Sequence, residues 1–403
     1  MGFSTRFGLA WPTLFSLAAG LLEGTKDCPW SPLQPSSTDI ECAAPWSSQT
    51  WFHAGGWEGP DDCFQEDYCI YTNRNLNGGL AVISSEKSMH GIASHSLYPP
   101  DVKQEVGPGA FYPAQVPGKG IGLIANRTIR KGEIIMQRTP CLLVEFDSED
   151  SELAKKARKE SYEKALARLP DATRELFMAQ IGDDVVAKVD RNAFRLFLGD
   201  NEGHVASYPE VSRFNHDCRP NLHYRLKNLT HTTVAVRDIE KGEELTISYI
   251  EGMIPYAERQ ERLESWGFKC ACDACKADSA LEIAASDGHL KEIERIEAEL
   301  EEKIGNKEDI ETDTPDRLIK LYLDEKLDSY VAHAYTKAAL LSSMFGDEEK
   351  TTRYAMLAVE ALEREYGPNT KDAESMLGLA EKPTEHWSWG IRAVGWKTVK
   401  VMQ

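Results

Sequence analysis

The chain has 403 residues, of which 41% are hydrophobic and 28% charged, so it is long enough for two or three domains with a substantial core. Its net charge of -19 argues against direct binding to nucleic acid, because an acidic surface gains nothing from counterion release. After the first 25 residues no apolar run is long enough to cross a bilayer, so we expect no membrane span in the mature chain.

The negative charge lies mainly at the two ends of the sequence. The net charge is -7 over residues 1–110, -2 over 111–278 and -10 over 279–403. Acidic flanks would attract a basic protein or peptide such as a histone tail. The alternative is that they only keep the protein soluble. The sequence does not indicate an oligomeric state.

The N-terminal segment resembles a secretory signal peptide over residues 1–24, with Arg6 ahead of an apolar stretch and small residues after it. In an oxidising compartment the next four cysteines would form two disulfides. These cysteines are Cys28, Cys42, Cys63 and Cys69. Taken alone, this segment is typical of a secreted cysteine-rich binding protein. The family that the motifs further along resemble would imply the nucleus or cytoplasm instead, and the sequence leaves both locations open.

Composition divides the chain into successive segments. Residues 25–110 are rich in Pro, Gly, Ser and Trp and predict a loop-rich segment, although Leu80–Ser84 alternates like a strand. From 111 to 146 the runs GLIANRTI and GEIIMQRTPCLLVEF predict strands. Helical spacing of apolar residues then predicts a helical insert over 147–205. Strand patterns return at TTVAVRDI and ELTISYI.

Residues 279–403 predict an all-helical C-terminal domain. One apolar stripe has helical spacing, namely Leu290, Ile293, Ile296, Leu300 and Ile304. Further helices are predicted at about 315–344 and 347–366, with Gly346 and Gly367 as their stops. The pairing resembles tetratricopeptide hairpins, but no clean repeat is present.

Three short motifs combine glycine or polar residues with strand signals. The first, Pro117 to Gly122, has glycine at every second position, which suits either close approach to a ligand or a tight turn. The second, Asn215 to Asn221, packs polar groups that need hydrogen bonds if buried. The alternative for His216 is a core histidine that is hydrogen-bonded to the backbone. The third is a strand ending at Tyr249, which alone is more often a packed aromatic residue.

The fourth motif is cysteine-rich. Cys270, Cys272 and Cys275 offer three thiolates, whereas structural zinc takes four ligands in a tetrahedron. Cys218 is the candidate for the fourth ligand. The alternative is a disulfide or free thiols.

In this order and spacing, the four motifs resemble the SET family, closest to the SET-and-MYND branch. The run AVRDIEKGEELTISYI, an Arg-rich helix and GFKCACDAC carry the likeness, which covers about residues 111–278. The resemblance implies an α+β fold: a SET β-clip core over 111–265 around the insert, a zinc-bound post-SET segment at 266–278 and the helical C-terminal region. Asp217 replaces the usual serine of the signature, and the insert has no cysteines for a MYND zinc finger.

The resemblance also implies a protein-lysine N-methyltransferase that uses S-adenosylmethionine and zinc. Tyr249 would be the catalytic tyrosine, and the zinc ligands would be Cys218, Cys270, Cys272 and Cys275. The methyl donor would contact Lys119, Gly120, Ile121, Gly122, Asn192, Asn215, His216, Tyr249 and Phe268. Tyr208 and Tyr224 would either wall the lysine channel or belong to the core. The competing hypothesis is a catalytically silent scaffold that binds partners through its acidic helical region.

Overall fold

The computed structural model describes residues 55–64, 68–93, 106–107, 109–145, 152–198, 202–227, 229–276, 280–306 and 308–392. The described residues belong to one compact unit that mixes α and β structure. The predicted signal peptide, Cys28 and Cys42 lie outside the described residues. Within the described part, no helix has the length and apolar content that a membrane span requires.

The largest sheet joins two parts of the sequence that composition had separated. Its six strands follow the order β1-β2-β3-β7-β9-β8. They are β1 (Glu58–Phe64), β2 (Tyr68–Asn73), β3 (Leu80–Ser85), β7 (Leu142–Glu145), β9 (Glu202–Ser207) and β8 (Ala193–Leu198). All neighbours are antiparallel except β3 and β7, which pair in parallel.

The prediction of a loop-rich N-terminal segment is therefore wrong for Glu58–Phe64 and Tyr68–Asn73, whereas the strand pattern at Leu80–Ser84 is confirmed by β3. Strands β2 and β3 are buried along nearly their whole length, as strands covered on both faces are. A disulfide joins Cys63 and Cys69 across the β1–β2 hairpin. Helix α1 (Glu86–Ala93) follows β3, so this segment contributes core rather than an appendage.

Two smaller sheets carry the strands that the sequence predicted. One has the order β10-β13-β5-β4 and the other β11-β12-β6. Their bounds are β4 (Phe111–Val116), β5 (Gly120–Ala125), β6 (Ile134–Arg138), β10 (Asn215–His216), β11 (Leu222–Lys227), β12 (Thr230–Ala235) and β13 (Glu244–Ile247). The long run after Gly132 is split into β6 and β7 near Pro140, which lacks the N–H that a sheet ladder needs.

The predicted insert is only partly helical. It contains α2 (Glu152–Ala167), α3 (Asp171–Met178) and α4 (Val185–Asn192), and then the strands β8 and β9. Asp184 caps α4 by accepting the amide N–H of Ala187. The described part of α2 packs on the large sheet through Tyr162, Ala165 and Leu166. The sequence prediction missed both strands: β8 mixes exposed and buried residues, and the described residues of β9 are half-buried or buried.

After α5 (Tyr256–Leu263) the C-terminal region is helical, as predicted. It comprises α6 (Ala280–Asn306), α7 (Thr314–Asp324), α8 (Val331–Phe345), α9 (Glu348–Tyr366) and α10 (Lys371–Glu381). The apolar stripe of α6 is buried except for Ile304, which is 41% exposed. Gly346 takes a left-handed conformation at the end of α8, with φ of 76°.

The single helix predicted over 315–344 is in fact two helices. Lys326 adopts a left-handed conformation, with φ of 52°, and the chain turns between α7 and α8. Tyr330 in this turn accepts the amide N–H of Gly252, five residues after the end of β13, at 2.9 Å.

Candidate functional site

The site begins where two distant segments pair as short strands. β10 pairs in parallel with β13, with Asn215 opposite Thr246 and His216 opposite Ile247. Asp217 continues the pairing by donating its amide N–H to the carbonyl of Ile247 at 3.0 Å. The loop that follows β10 and the chain that follows β13 are therefore held side by side.

Four cysteine sulfurs meet beside this pairing. Those of Cys218, Cys270, Cys272 and Cys275 all lie within 4.8 Å of one another, and all four residues are buried. The Cys218 sulfur is 3.9 Å from that of Cys270 and 3.5 Å from that of Cys275. Zinc–sulfur bonds of about 2.3 Å in a tetrahedron give sulfur–sulfur edges of roughly 3.8 Å. The donor set and its spacing therefore fit a zinc ion.

Crowding of the sulfurs gives them unequal proton affinities. Contacts with Cys218 and then Cys270 lower the pKa of the Cys272 thiol. The pKa of Cys218 is raised, first through its contact with Cys270. A cluster of this kind ionises only in part by itself, and a divalent cation would relieve the repulsion among its thiolates.

Two residues of helix α5 hold the segment with Cys270, Cys272 and Cys275 in place, and neither belongs to a predicted motif. Gln260 donates to the carbonyl of Cys270 at 3.0 Å and accepts its amide N–H at 3.1 Å. Arg259 is fully buried and donates to the carbonyls of Ile254 and Ala274. Their only sequence signal was their place on the Arg-rich helix between the two motifs.

His216 is a buried histidine that positions its neighbours. Its Nδ1 accepts the amide N–H of Tyr249 at 3.1 Å, so Nε2 is left to face the Cys218 sulfur at 3.3 Å. Burial lowers the pKa of His216 to about 4, so the ring is neutral at physiological pH. Since both ring nitrogens already have partners, the predicted contact between His216 and the methyl donor would have to come from the backbone of His216.

Tyr249 lies at the centre of this arrangement. Its hydroxyl donates to the carbonyl of Phe214 at 2.7 Å. Its ring centroid is 5.4 Å from that of His216, 5.9 Å from that of Trp266 and 6.4 Å from that of Phe268. Burial and the charge of Glu244 raise the pKa of Tyr249, so its hydroxyl stays protonated. The hydroxyl therefore acts as an oriented hydrogen-bonding group rather than as a base.

The glycine motif forms the tight turn between β4 and β5, and it also contacts the β10–β13 pair. Gly120 has φ of 78°, and the space where a Cβ would lie is open. The Lys119 ammonium donates to Glu244 at 2.9 Å, and the amide of Asn215 donates to the same carboxylate at 2.8 Å. A Cβ on Gly122 would come within 2.5 Å of Glu244. Glu244, which sequence reasoning missed, thus joins three predicted site residues.

Asn192 and Phe268, two of the residues predicted to contact the methyl donor, form no described hydrogen bond with Asn215, His216 or Tyr249. The Asn192 amide donates to the carbonyls of Lys188 and Ile181, in its own helix and the preceding loop. Phe268 is half-buried, and its ring centroid is 6.1 Å from that of His216. The end of α4 still approaches the cysteine segment, because an Arg191 nitrogen lies 3.9 Å from the Cβ position of Gly267.

Comparison with known proteins identifies the domain that holds this centre. Residues 120–250 match the SET domain family, and this range contains β5, the β10–β13 pair and Tyr249. The match covers this range, which is less than half of the chain.

Curated proteins with similar sequences carry related names. Histone-lysine N-methyltransferase set5 of Schizosaccharomyces pombe is 32% identical over 184 residues, which are 44% of this chain and 54% of that protein. Human histone-lysine N-methyltransferase SMYD3 is 33% identical over 123 residues, 30% of this chain and 29% of that protein. Histone-lysine N-methyltransferase ASHR2 of Arabidopsis thaliana is 38% identical over 98 residues, 22% of this chain and 24% of that protein. The chain thus spans about half the length of the first relative and less of the others.

A cleft of about 390 Å³ separates the SET domain from the helical region, and Tyr249 lies on its wall. The SET side contributes Pro220, Leu222, His223, Tyr224, Ser248, Tyr249, Ile250 and Glu251, and the turn before α8 contributes Ser329 and Tyr330. Tyr224 therefore walls the cleft. Tyr208 belongs to the core, since it is fully buried and donates to the carbonyl of Leu229.

Arg219 joins the two walls of the cleft. It donates to the main-chain carbonyls of Cys218 and Gly252 in the SET domain and to that of Glu325 in the helical region. Gly252 in turn donates its amide N–H to the Tyr330 hydroxyl at 2.9 Å. Asp217, the departure from the family signature, accepts the amide N–H of Arg219 at 2.8 Å and so closes this loop.

Proposed function

We propose that this protein transfers a methyl group from S-adenosylmethionine to the ε-amine of a lysine in a protein substrate. The observation that carries the proposal is the position of Tyr249. Its hydroxyl is fixed by Phe214 beside the Asn215–His216 strand, and the same residue forms part of the cleft wall. Tyr249 thus lies between the Asn215–His216 strand, where the methyl donor would bind, and the cleft, where the substrate would bind. This position suits transfer of a group between the two molecules.

The residues around the glycine turn fit a methyl donor. Backbone is accessible at Gly120, where a Cβ would have open space, and the Ile121 side chain is 49% exposed. Lys119 and Asn215 are held by Glu244, so their orientations are fixed in advance. Phe268 would offer a half-buried aromatic face. When bound, S-adenosylmethionine supplies an electrophilic methyl on a sulfonium.

The four clustered cysteines would hold a structural zinc ion. A segment as short as 266–276 cannot bury a core of its own, so metal binding would supply folding free energy and tie it to the Cys218 loop. Gln260 and Arg259 hold the same segment from the other side. The zinc would thereby keep Phe268 and Trp266 close to Tyr249.

The cleft would accept the lysine side chain and lower its proton affinity. Methyl transfer needs a neutral amine, whereas free lysine has a pKa of about 10.4. Leu222 and Ile250 give the cleft apolar walls, and burial there disfavours the ammonium form. Tyr224 and Tyr249 would orient the amine, and such alignment contributes up to roughly 7–11 kcal/mol to a bimolecular reaction.

A basic peptide is the substrate class that the charges favour. Among the described residues that line the cleft, Glu251 is the one that carries a formal charge, since burial keeps His223 neutral by lowering its pKa to about 4. The acidic helical region adds to this field. The names of the relatives make histones the first substrates to test.

The experiment is transfer of labelled methyl from S-adenosylmethionine to core histones, to a cell extract and to a lysine peptide array. We expect labelled protein with the wild-type chain and labelling about 100-fold slower with Tyr249→Phe. A wild-type protein that binds the donor but labels no protein would instead support the silent-scaffold hypothesis.

A further inference from the structure

Ser329 presents a buried hydroxyl that lacks a hydrogen-bond partner in the described part of the chain. It lies on the helical wall of the cleft, and only 7% of the residue is exposed. A buried hydroxyl without a partner is destabilising, so such groups are rare in native proteins and call for an explanation.

Neighbouring polar groups of the cleft already have partners within the protein. The Ser248 hydroxyl donates to the carbonyl of Ile250 at 2.7 Å, and the Tyr249 hydroxyl donates to Phe214. The Tyr330 hydroxyl accepts the amide N–H of Gly252. Unlike the hydroxyls of Ser248, Tyr249 and Tyr330, the Ser329 hydroxyl has no partner in the described part of the chain. It is therefore available to a bound molecule.

The position of Ser329 is fixed by its surroundings. Leu327 is buried, and its carbonyl accepts the amide N–H of Tyr330 at 2.9 Å, which closes the turn around Ser329. Helix α8 then begins at Val331, and the buried Glu365 accepts the amide N–H of Ala332. A rigid turn loses little conformational entropy when its hydroxyl binds a ligand.

We propose that Ser329 is a substrate-binding residue whose hydroxyl hydrogen-bonds to the peptide main chain beside the acceptor lysine. The main chain is the preferred partner because every peptide offers a carbonyl acceptor there, whatever its sequence. The helical region is then part of the peptide site rather than only a support. This inference rests on the proposed function and extends it to the second wall of the cleft.

The test compares Ser329→Ala with Ser342→Ala in the full chain. Ser342 is a matched control, because its hydroxyl is also buried without a described partner but lies in α8 outside the cleft lining. Methyl transfer is measured with core histones and with two array peptides of different sequence. We expect Ser329→Ala to raise KM for all three substrates by roughly 3- to 10-fold, with kcat and the KM for S-adenosylmethionine unchanged. Ser342→Ala should match wild type.

The outcomes distinguish failure of the proposed methyl transfer from failure of the role assigned to Ser329. If the wild-type chain methylates nothing, the proposed function fails and this inference fails with it. If wild type is active and Ser329→Ala has an unchanged peptide KM, only the inference is overturned. A KM change for one peptide but not the other would overturn the main-chain assignment. Loss of an unpartnered hydroxyl should not lower the unfolding midpoint, which separates a binding defect from misfolding.

Discussion

Replacing Arg219 with alanine should destabilise the protein more than any surface ion-pair substitution. The Arg219 side chain is 7% exposed and lies 3.0 Å from the Glu325 carboxylate, which is 9% exposed. It also donates to three main-chain carbonyls at 2.6–2.9 Å. Glu325 keeps two further donors, Ser286 at 2.6 Å and His289 at 2.8 Å.

The magnitude follows from what the substitution leaves behind. Removing one partner of a buried ion pair typically costs about 3–5 kcal/mol, because the other charge stays buried without compensation. Ser286 and His289 still stabilise the Glu325 carboxylate, which favours the lower end. The carbonyls of Cys218 and Gly252 also lose a charged donor. We therefore expect a loss of about 3 kcal/mol in the free energy of unfolding.

The assay is urea unfolding of the Arg219→Ala protein beside wild type and Arg262→Ala. Arg262 pairs with Glu258 at 2.5 Å, but both side chains are 44% exposed. Exposed pairs of this kind contribute about 0–1 kcal/mol. An Arg219→Ala protein no less stable than Arg262→Ala would refute the view that Arg219 holds the two walls of the cleft together.

Three further predictions concern the centre and its surroundings. Tyr249→Phe should lower kcat roughly 100-fold through loss of an oriented hydroxyl, with donor affinity kept in a calorimetric titration; unchanged turnover would exclude the catalytic assignment. Cys218→Ser should weaken zinc binding at least about tenfold and reduce donor affinity, as measured by chelator titration; full zinc retention would contradict the ligand set. Burial raises the pKa of Glu365 to about 8, so the folded state binds more protons than the unfolded state and stability should fall as pH rises from 6.5 to 8. Glu365→Gln should flatten this slope, which is at most about 1.4 kcal/mol per pH unit; an equal slope in both proteins would show that Glu365 does not titrate there.

Local patterns determined much of the centre. Strands β5 and β6 follow from apolar runs broken by glycine, β12 and β13 follow from the strand patterns TTVAVRDI and ELTISYI, and the stops at Gly346 and Gly367 follow from backbone conformation. The spacing of the three C-terminal cysteines indicated a missing fourth ligand, and the structure brings Cys218 to them. These signals are readable because strand alternation, helix stops and ligand spacing act over a few residues.

Contacts across the fold decided the rest. Lys119 and Glu244 are 125 residues apart, and Arg219 and Glu325 are 106 apart, so no local pattern marks either pair. Composition predicted loops for β1 and β2, which form strands because β2 pairs with β3 and β3 pairs with β7. Composition and spacing thus determined which residues could carry chemistry. Tertiary packing alone decided that Tyr249 and Ser329 face one cleft, because that geometry depends on how the helical region docks against β11 and the residues after β13.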